Sequence, residues 1–265
     1  MCSAMLSSLG EMVRRHDPDR FLTALFAPEA RREALFALYA FNHELARARE
    51  AAREPTMALI RLQWWREVVE GAPRRHEVAT PLNEAIATGA LYPPDLLALI
   101  EAREMEVEPA IPNLDAWRGY VLGSAGGLAV AAGRALGAPE AALPVLRALG
   151  AAYGVAGLLR SVPALAREGR CLLPEDLLAA NGLSAEAVVS DPAAPALAPV
   201  RRSLAAEGVA WLKEGRAARL PREAIAAGLP AVLARRDLAR PSRPAGPRGG
   251  GDKIAVVLAG VRGRI

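Results

Sequence analysis

Residues able to do chemistry are few in this chain, and their spacing fits none of the common reaction centres. The three histidines, His16, His43 and His76, are scattered without metal-ligand spacing. Cys2 and Cys171 are the only cysteines, which excludes a disulfide scaffold and a cysteine-based metal cluster. No Gly-rich phosphate loop, HExxH or G-x-S-x-G occurs. One constellation remains worth testing in a helical protein with an apolar interior. Acids at i and i+4 on two facing helices can hold magnesium ions that clamp a diphosphate.

Such a clamp needs long helices, and the sequence supplies them. The chain has 265 residues, 52% of them apolar and 23% charged, enough for a sizeable core and too apolar for disorder. Alanine, leucine, arginine and glutamate dominate, and alternating strand patterns are nearly absent. The spacing predicts a helix from Pro28 to Arg53 with an inward stripe of Leu35, Leu38, Tyr39, Asn42 and Leu45. Glu54-Pro55 breaks it. A second helix, Pro55 to Val69, is expected to turn Met57, Ile60, Trp64, Trp65 and Val68 inward. Helices are then expected over Thr80–Thr88, Pro94–Glu108, Asn113–Leu136, Pro139–Arg160, Glu175–Ala180, Val200–Glu214 and Pro221–Arg240. Asn113 is the expected N-cap of its helix. The small residues Gly123 to Gly127 in that helix call for tight helix–helix contact or a bulky apolar ligand. Pro163 is expected to end or kink the helix from Pro139, and Asp191–Pro199 to be a surface loop.

No internal repeat or second domain is evident. Residues 1–240 read as one helical domain, 241–251 as a flexible Pro/Gly-rich linker and 252–265 as a C-terminal segment with a helical turn or two over Ile254–Val261. No run of eighteen apolar residues and no secretory signal is seen. The formal net charge is +4, and lysine occurs only at Lys213 and Lys253. The arginine-rich balance suits anionic lipid or diphosphate, but without interleaved aromatics it does not point to nucleic acid.

With the helices placed, a resemblance comes into view. Phe21–Pro28, Arg31-Arg32 and Leu38–Phe41 resemble the opening helices of the squalene/phytoene synthase family. Leu159-Arg160, Gly169-Arg170 and Leu173-Pro174 are similar to its second signature block, and Tyr120–Gly137 to its small-residue middle helix. The resemblance implies an all-α, single-domain bundle of the isoprenoid synthase type. Active members join two prenyl diphosphates head to head, using two D-x-x-x-D motifs and magnesium across a hydrophobic cavity. Carried over, the first motif falls on Ala46 and Glu50, the second on Ser161 and Leu165, and a preceding asparagine on Gly157. Only Glu50 keeps a carboxylate, and it also fits a salt-bridged face with Glu44, Arg47 and Arg53.

A narrower likeness rests on Asn42, Glu44, Leu45 and Gln63-Trp64-Trp65. These resemble the branch holding the phytoene-synthase-like mitochondrial complex I assembly factor, which also lacks the aspartate pairs. That implies a pseudoenzyme without catalytic, cofactor or metal residues. It would bind an isoprenoid, a lipid or a respiratory-complex protein, in the cytoplasm and at most peripheral to the inner membrane. The alternative is an active, magnesium-dependent prenyltransferase of isoprenoid biosynthesis. The resemblance makes Tyr39, Phe41, Glu50, Trp64, Tyr120 and Tyr153 candidates to line the ligand pocket, and Arg160 and Arg170 candidates to meet an anionic head group.

Overall fold

The computed structural model describes residues 6–50, 54–108, 110–216, 219–241 and 246–265. The helices in chain order are α1 (Ser8–His16), α2 (Pro18–Ala24), α3 (Glu29–Glu50), α4 (Pro55–Val69), α5 (Ala79–Ala87), α6 (Pro93–Glu104), α7 (Leu114–Val121), α8 (Gly127–Ala135) and α9 (Leu143–Arg167). There follow α10 (Glu175–Ala179), α11 (Ala185–Ser190), α12 (Leu197–Glu214), α13 (Ile225–Gly228), α14 (Pro230–Leu238) and α15 (Gly250–Arg262). Among the described residues no β-strand forms, and the expected all-α bundle is what the chain adopts. Arg53, the expected end of the first long helix, and Cys2 lie outside the described residues.

Helices α1, α2 and α11 add to those expected. Asp17 makes the first corner. It ends α1, its carboxylate accepts from Arg20 N at 3.0 Å as N-cap of α2, and Pro18 follows at the first helical position. Asn113 caps α7 in the same way, accepting from Ala116 N at 2.9 Å. The helix expected from Asn113 to Leu136 is not continuous. A π turn over Leu122–Gly126 separates α7 from α8, and Ser124 Oγ donates to Tyr120 O at 2.6 Å within it.

Helix α9 runs through the middle of the bundle and packs against α8, α12 and α14. It is long and apolar enough to cross a membrane, but most of its apolar length is buried by these neighbours. The small residues of the middle segment sit in close contact with neighbouring helices. A Cβ on Gly123 would stand 3.0 Å from Ala102 Cβ on α6, and one on Gly126 3.0 Å from Arg147 O on α9. Helix α9 answers with Gly150, whose Cβ would stand 2.5 Å from Ala125 O.

Further expectations are corrected. Helix α9 does not stop before Pro163 but continues to Arg167. The carbonyl of Leu159, which loses its helical donor at Pro163, accepts instead from Arg201 Nη1 at 3.3 Å. In α4 the buried residues are Ala58, Leu62, Trp65, Val68 and Val69, so Trp65 and Val68 turn inward as expected, while Met57 and Ile60 are 46% and 55% exposed. Apolar residues stand on nearly every side of α4, so periodicity alone could not set its phase. Helix α12 starts at Leu197, inside the expected loop. Finally, the expected linker is pinned at Arg248, which bridges Asp19 at 2.9 Å and Asp237 at 2.8 Å, and α15 begins at Gly250 rather than near Ile254.

Candidate functional site

The family's motif positions lie on two helices, Ala46 and Glu50 at the end of α3 and Gly157, Ser161 and Leu165 along the C-terminal half of α9. Because α9 is continuous, Ser161 and Leu165 are one turn apart on one face, not split by a kink. Gly157 lies a turn earlier, exposed, with open space where a side chain would be. Glu50 is exposed at the last residue of α3. Partial burial, then the nearby Glu168, pushes its carboxyl above the ordinary value, with Arg170 pulling the other way.

Beside these positions lies a buried polar cluster that the sequence did not reveal. Glu106 is 6% exposed. One of its oxygens accepts from the Tyr120 hydroxyl at 2.7 Å and from Arg103, and the other accepts from Arg170 Nη2 at 3.0 Å. Arg103 Nη2 also donates to Asn42 Oδ1 at 3.1 Å on α3. Burial alone would raise the Glu106 carboxyl, but Arg103, the Tyr120 hydroxyl and Arg170 outweigh it and hold it below its ordinary value. The π turn beyond Val121 follows the helix that carries Tyr120, and the loop after α9 delivers Arg170. Arg103 and Glu106 read in the sequence as an i,i+3 surface pair, which is why they escaped notice.

A second polar group closes the centre of the bundle. The Arg20 guanidinium lies 4.9 Å from the Tyr153 ring and 5.8 Å from the Tyr39 ring, and pairs with Asp17 at 2.7 Å. The Tyr153 hydroxyl donates to Asp19 at 3.0 Å. What remains between Arg20, Tyr39, Tyr153, Leu128 and Gly150 is a space of about 10 Å³. That is no more than room for a single water, so no prenyl chain fits this space as it stands.

The other candidates disperse. Phe41 is core, edge-on to Trp65 at 5.4 Å. Trp64 lines an open pocket of about 310 Å³ on the outer side of α3 and α4, with Trp65, His76, Glu44, Arg47 and Arg61. Arg160 reaches Asp237 of α14 at 3.4 Å and the Gly246 carbonyl at 2.8 Å, so it is engaged by the protein's own groups. Tyr39 and Tyr153 meet at Arg20, and Tyr120 and Arg170 meet at Glu106. His16 and His43, distant in sequence, stack at 4.3 Å.

The donor set does not fit a magnesium–diphosphate clamp. Ala46, Ser161 and Leu165 bring no carboxylate, Glu50 stands by itself among the four motif positions, and both oxygens of Glu106 are already taken by three donors. Among the described residues no group of three or more His, Cys, Asp or Glu is placed to share an ion.

The helical bundle, the central α9 and the paired signature blocks define a prenyl-synthase type of architecture. The squalene/phytoene synthase family model matches residues 13–243, and the chain belongs to that family. It is 29% identical over 182 residues to "NADH dehydrogenase (ubiquinone) complex I, assembly factor 6" of Homo sapiens, covering 66% of this chain and 55% of that one. It is 28% identical over 230 residues to the Rattus norvegicus protein of the same name, covering 84% and 69%. It therefore spans little more than half the length of the human relative. A presqualene diphosphate synthase of Rhodopseudomonas palustris is 31% identical over 193 residues, 67% of each chain. In solved structures, a dehydrosqualene synthase in complex with ligand superposes with a TM-score of 0.78 at 14% identity, over 96% of this chain and 94% of that one. A squalene synthase from Alicyclobacillus acidocaldarius gives 0.64 at 19% identity, over 96% and 92%. At these identities the structural likeness establishes the fold.

Proposed function

We propose that this chain is a non-catalytic squalene/phytoene synthase family protein that assists assembly of respiratory complex I. The observation that carries this reading is the loss of three of the four motif carboxylates, at Ala46, Ser161 and Leu165, while the helices that bore them stay in place. Without them the departing diphosphate has no counter-charge, and such electrostatic stabilisation usually contributes more to the rate than any other effect. The relatives named as complex I assembly factors support the assembly role.

The closed space between Arg20, Tyr39 and Tyr153 favours a protein partner met at the surface over a prenyl chain held there. The outer pocket beside Trp64 is the candidate contact, since Met57, Leu59 and Ile60 on α4 are exposed apolar residues on the same helix. No cofactor is needed for that role. We place the protein in the cytoplasm, in peripheral contact with the inner membrane.

The test is deletion of the gene in its own organism, followed by native-gel analysis of the NADH:ubiquinone oxidoreductase. Accumulated subcomplexes, cleared by the wild-type gene, support the proposal; a fully assembled complex would sink it. The similarity to a presqualene diphosphate synthase favours a second reading, an active prenyltransferase. Magnesium-dependent turnover of farnesyl diphosphate by purified protein would establish that reading instead.

A further inference from the structure

Helix α15 is docked by one side and bare on the other. Val256 is buried, and Gly260 lies so close to the Phe26 ring that an added Cβ would be 2.5 Å from it. The opposite side carries Ile254, Val257, Leu258 and Val261, 40–65% exposed and spaced i, i+3, i+4, i+7. Exposed Lys253 and Arg262 flank this stripe. The one acid of the helix, Asp252, is bound to Arg236 at 2.6 Å.

At Gly263, with φ +62, the chain turns into a pocket of about 370 Å³. Arg216, Arg219, Arg235 and Arg264 line it over apolar Leu149, Leu220, Ile225 and Ile265. These four arginines have no carboxylate partner among the described residues. Burial, then Arg216 and Arg236, hold the Arg235 guanidinium below its ordinary value, as expected where like charges gather unrelieved.

We propose that the bare face of α15 and the arginine pocket at its end form one seat for an anionic phospholipid surface, the stripe entering the acyl boundary and the arginines taking phosphate head groups. This deepens the peripheral membrane contact proposed above and rests on it. An apolar stripe with cations on both flanks is the pattern of a helix lying in a membrane interface. A second copy of the chain is a poor occupant, because a self-complementary contact would set these cations against their own kind.

Flotation of the full chain with phosphatidylcholine vesicles, with and without phosphatidylglycerol, tests this. Binding is expected only with phosphatidylglycerol, and should weaken with salt. The double variant Ile254→Ser/Leu258→Ser should bind about tenfold more weakly or worse, and Arg235→Gln/Arg264→Gln about tenfold more weakly. All four side chains are exposed, so thermal unfolding should be unchanged and serves as the folding control. Absence of vesicle binding, equal binding to neutral vesicles, or variants that bind like wild type would each overturn the proposal. So would a dimer dispersed by Ile254→Ser/Leu258→Ser, or inorganic phosphate binding at the arginines without vesicle binding. Failure of the gene deletion to disturb complex I would leave the vesicle result standing, so the two readings fail separately.

Discussion

Arg201 Nη1 stands 3.3 Å from the carbonyl oxygen of Leu159, the acceptor that Pro163 leaves without its helical amide. The same guanidinium donates to the Pro192 carbonyl at 3.0 Å, so one α12 side chain ties together α9 and the loop after α11. This relationship keeps α9 continuous past a proline and so keeps Ser161 and Leu165 on one face.

Arg201→Met should therefore lower the unfolding free energy by about 2 kcal/mol, the scale of a hydrogen bond from a charged donor. In a Pro163→Ala background the amide at 163 returns, and the cost should shrink by about 1 kcal/mol. A double-mutant cycle by urea denaturation measures the coupling. Independent effects would mean that Arg201 acts only through the loop.

Glu106 should make the protein acid-labile. Its folded pKa lies below the unfolded value, so its contribution is fully present above about pH 4.5 and is lost as pH falls through the folded pKa. Glu106→Gln should cost about 3–5 kcal/mol at neutral pH, because Arg103 and Arg170 lose their shared partner. Its stability should also fall less steeply than wild type below pH 4.5. Parallel slopes in the two proteins would mean that the acid lability comes from elsewhere.

Fold and site were legible to different depths. Helix type and the Asn113 cap follow from local spacing, but at Gly123–Gly127 spacing left tight packing and a bulky ligand as alternatives and did not foretell the π turn. The phase of α4 was hidden because Met57, Ala58, Leu59 and Ile60 are all apolar. The passage through Pro163 was hidden because its compensation comes from Arg201, 38 residues on. The site suffered most. The Glu106 cluster draws on α3, α6, α7 and the loop after α9, and each member looks ordinary in its own segment.

Two glycines of α9 should respond oppositely to alanine. Gly150 faces Ala125 O and Ala129 Cβ, both 2.5 Å from an added Cβ, so Gly150→Ala should destabilise by about 1–3 kcal/mol. Gly157 has open space around it, so Gly157→Ala should stabilise by about 0.5–1 kcal/mol through helix propensity alone. Thermal denaturation of both proteins decides it. A stabilised Gly150→Ala would show that α8 and α9 can separate at little cost.

Restoring acids should restore metal binding ahead of any chemistry. The variant carries Asp at positions 46, 50, 161 and 165, and Pro163 can stay because α9 already places 161 and 165 a turn apart. Wild type should show no magnesium-dependent heat with inorganic diphosphate or farnesyl diphosphate, since one carboxylate in four positions is too little to hold the ion. Leu165→Asp carries a cost, because Leu165 packs beside Arg170 and Cys171 where an unpaired carboxylate is penalised by several kcal/mol. Folding is therefore checked first, by thermal unfolding with and without magnesium. A folded variant should gain stability from magnesium and bind inorganic diphosphate. Farnesyl diphosphate should bind no more tightly than inorganic diphosphate, because Arg20, Tyr39 and Tyr153 leave only about 10 Å³ for its chain. A strong preference for farnesyl diphosphate would mean that the interior opens on binding, and would return a prenyl ligand to the centre of this protein's function.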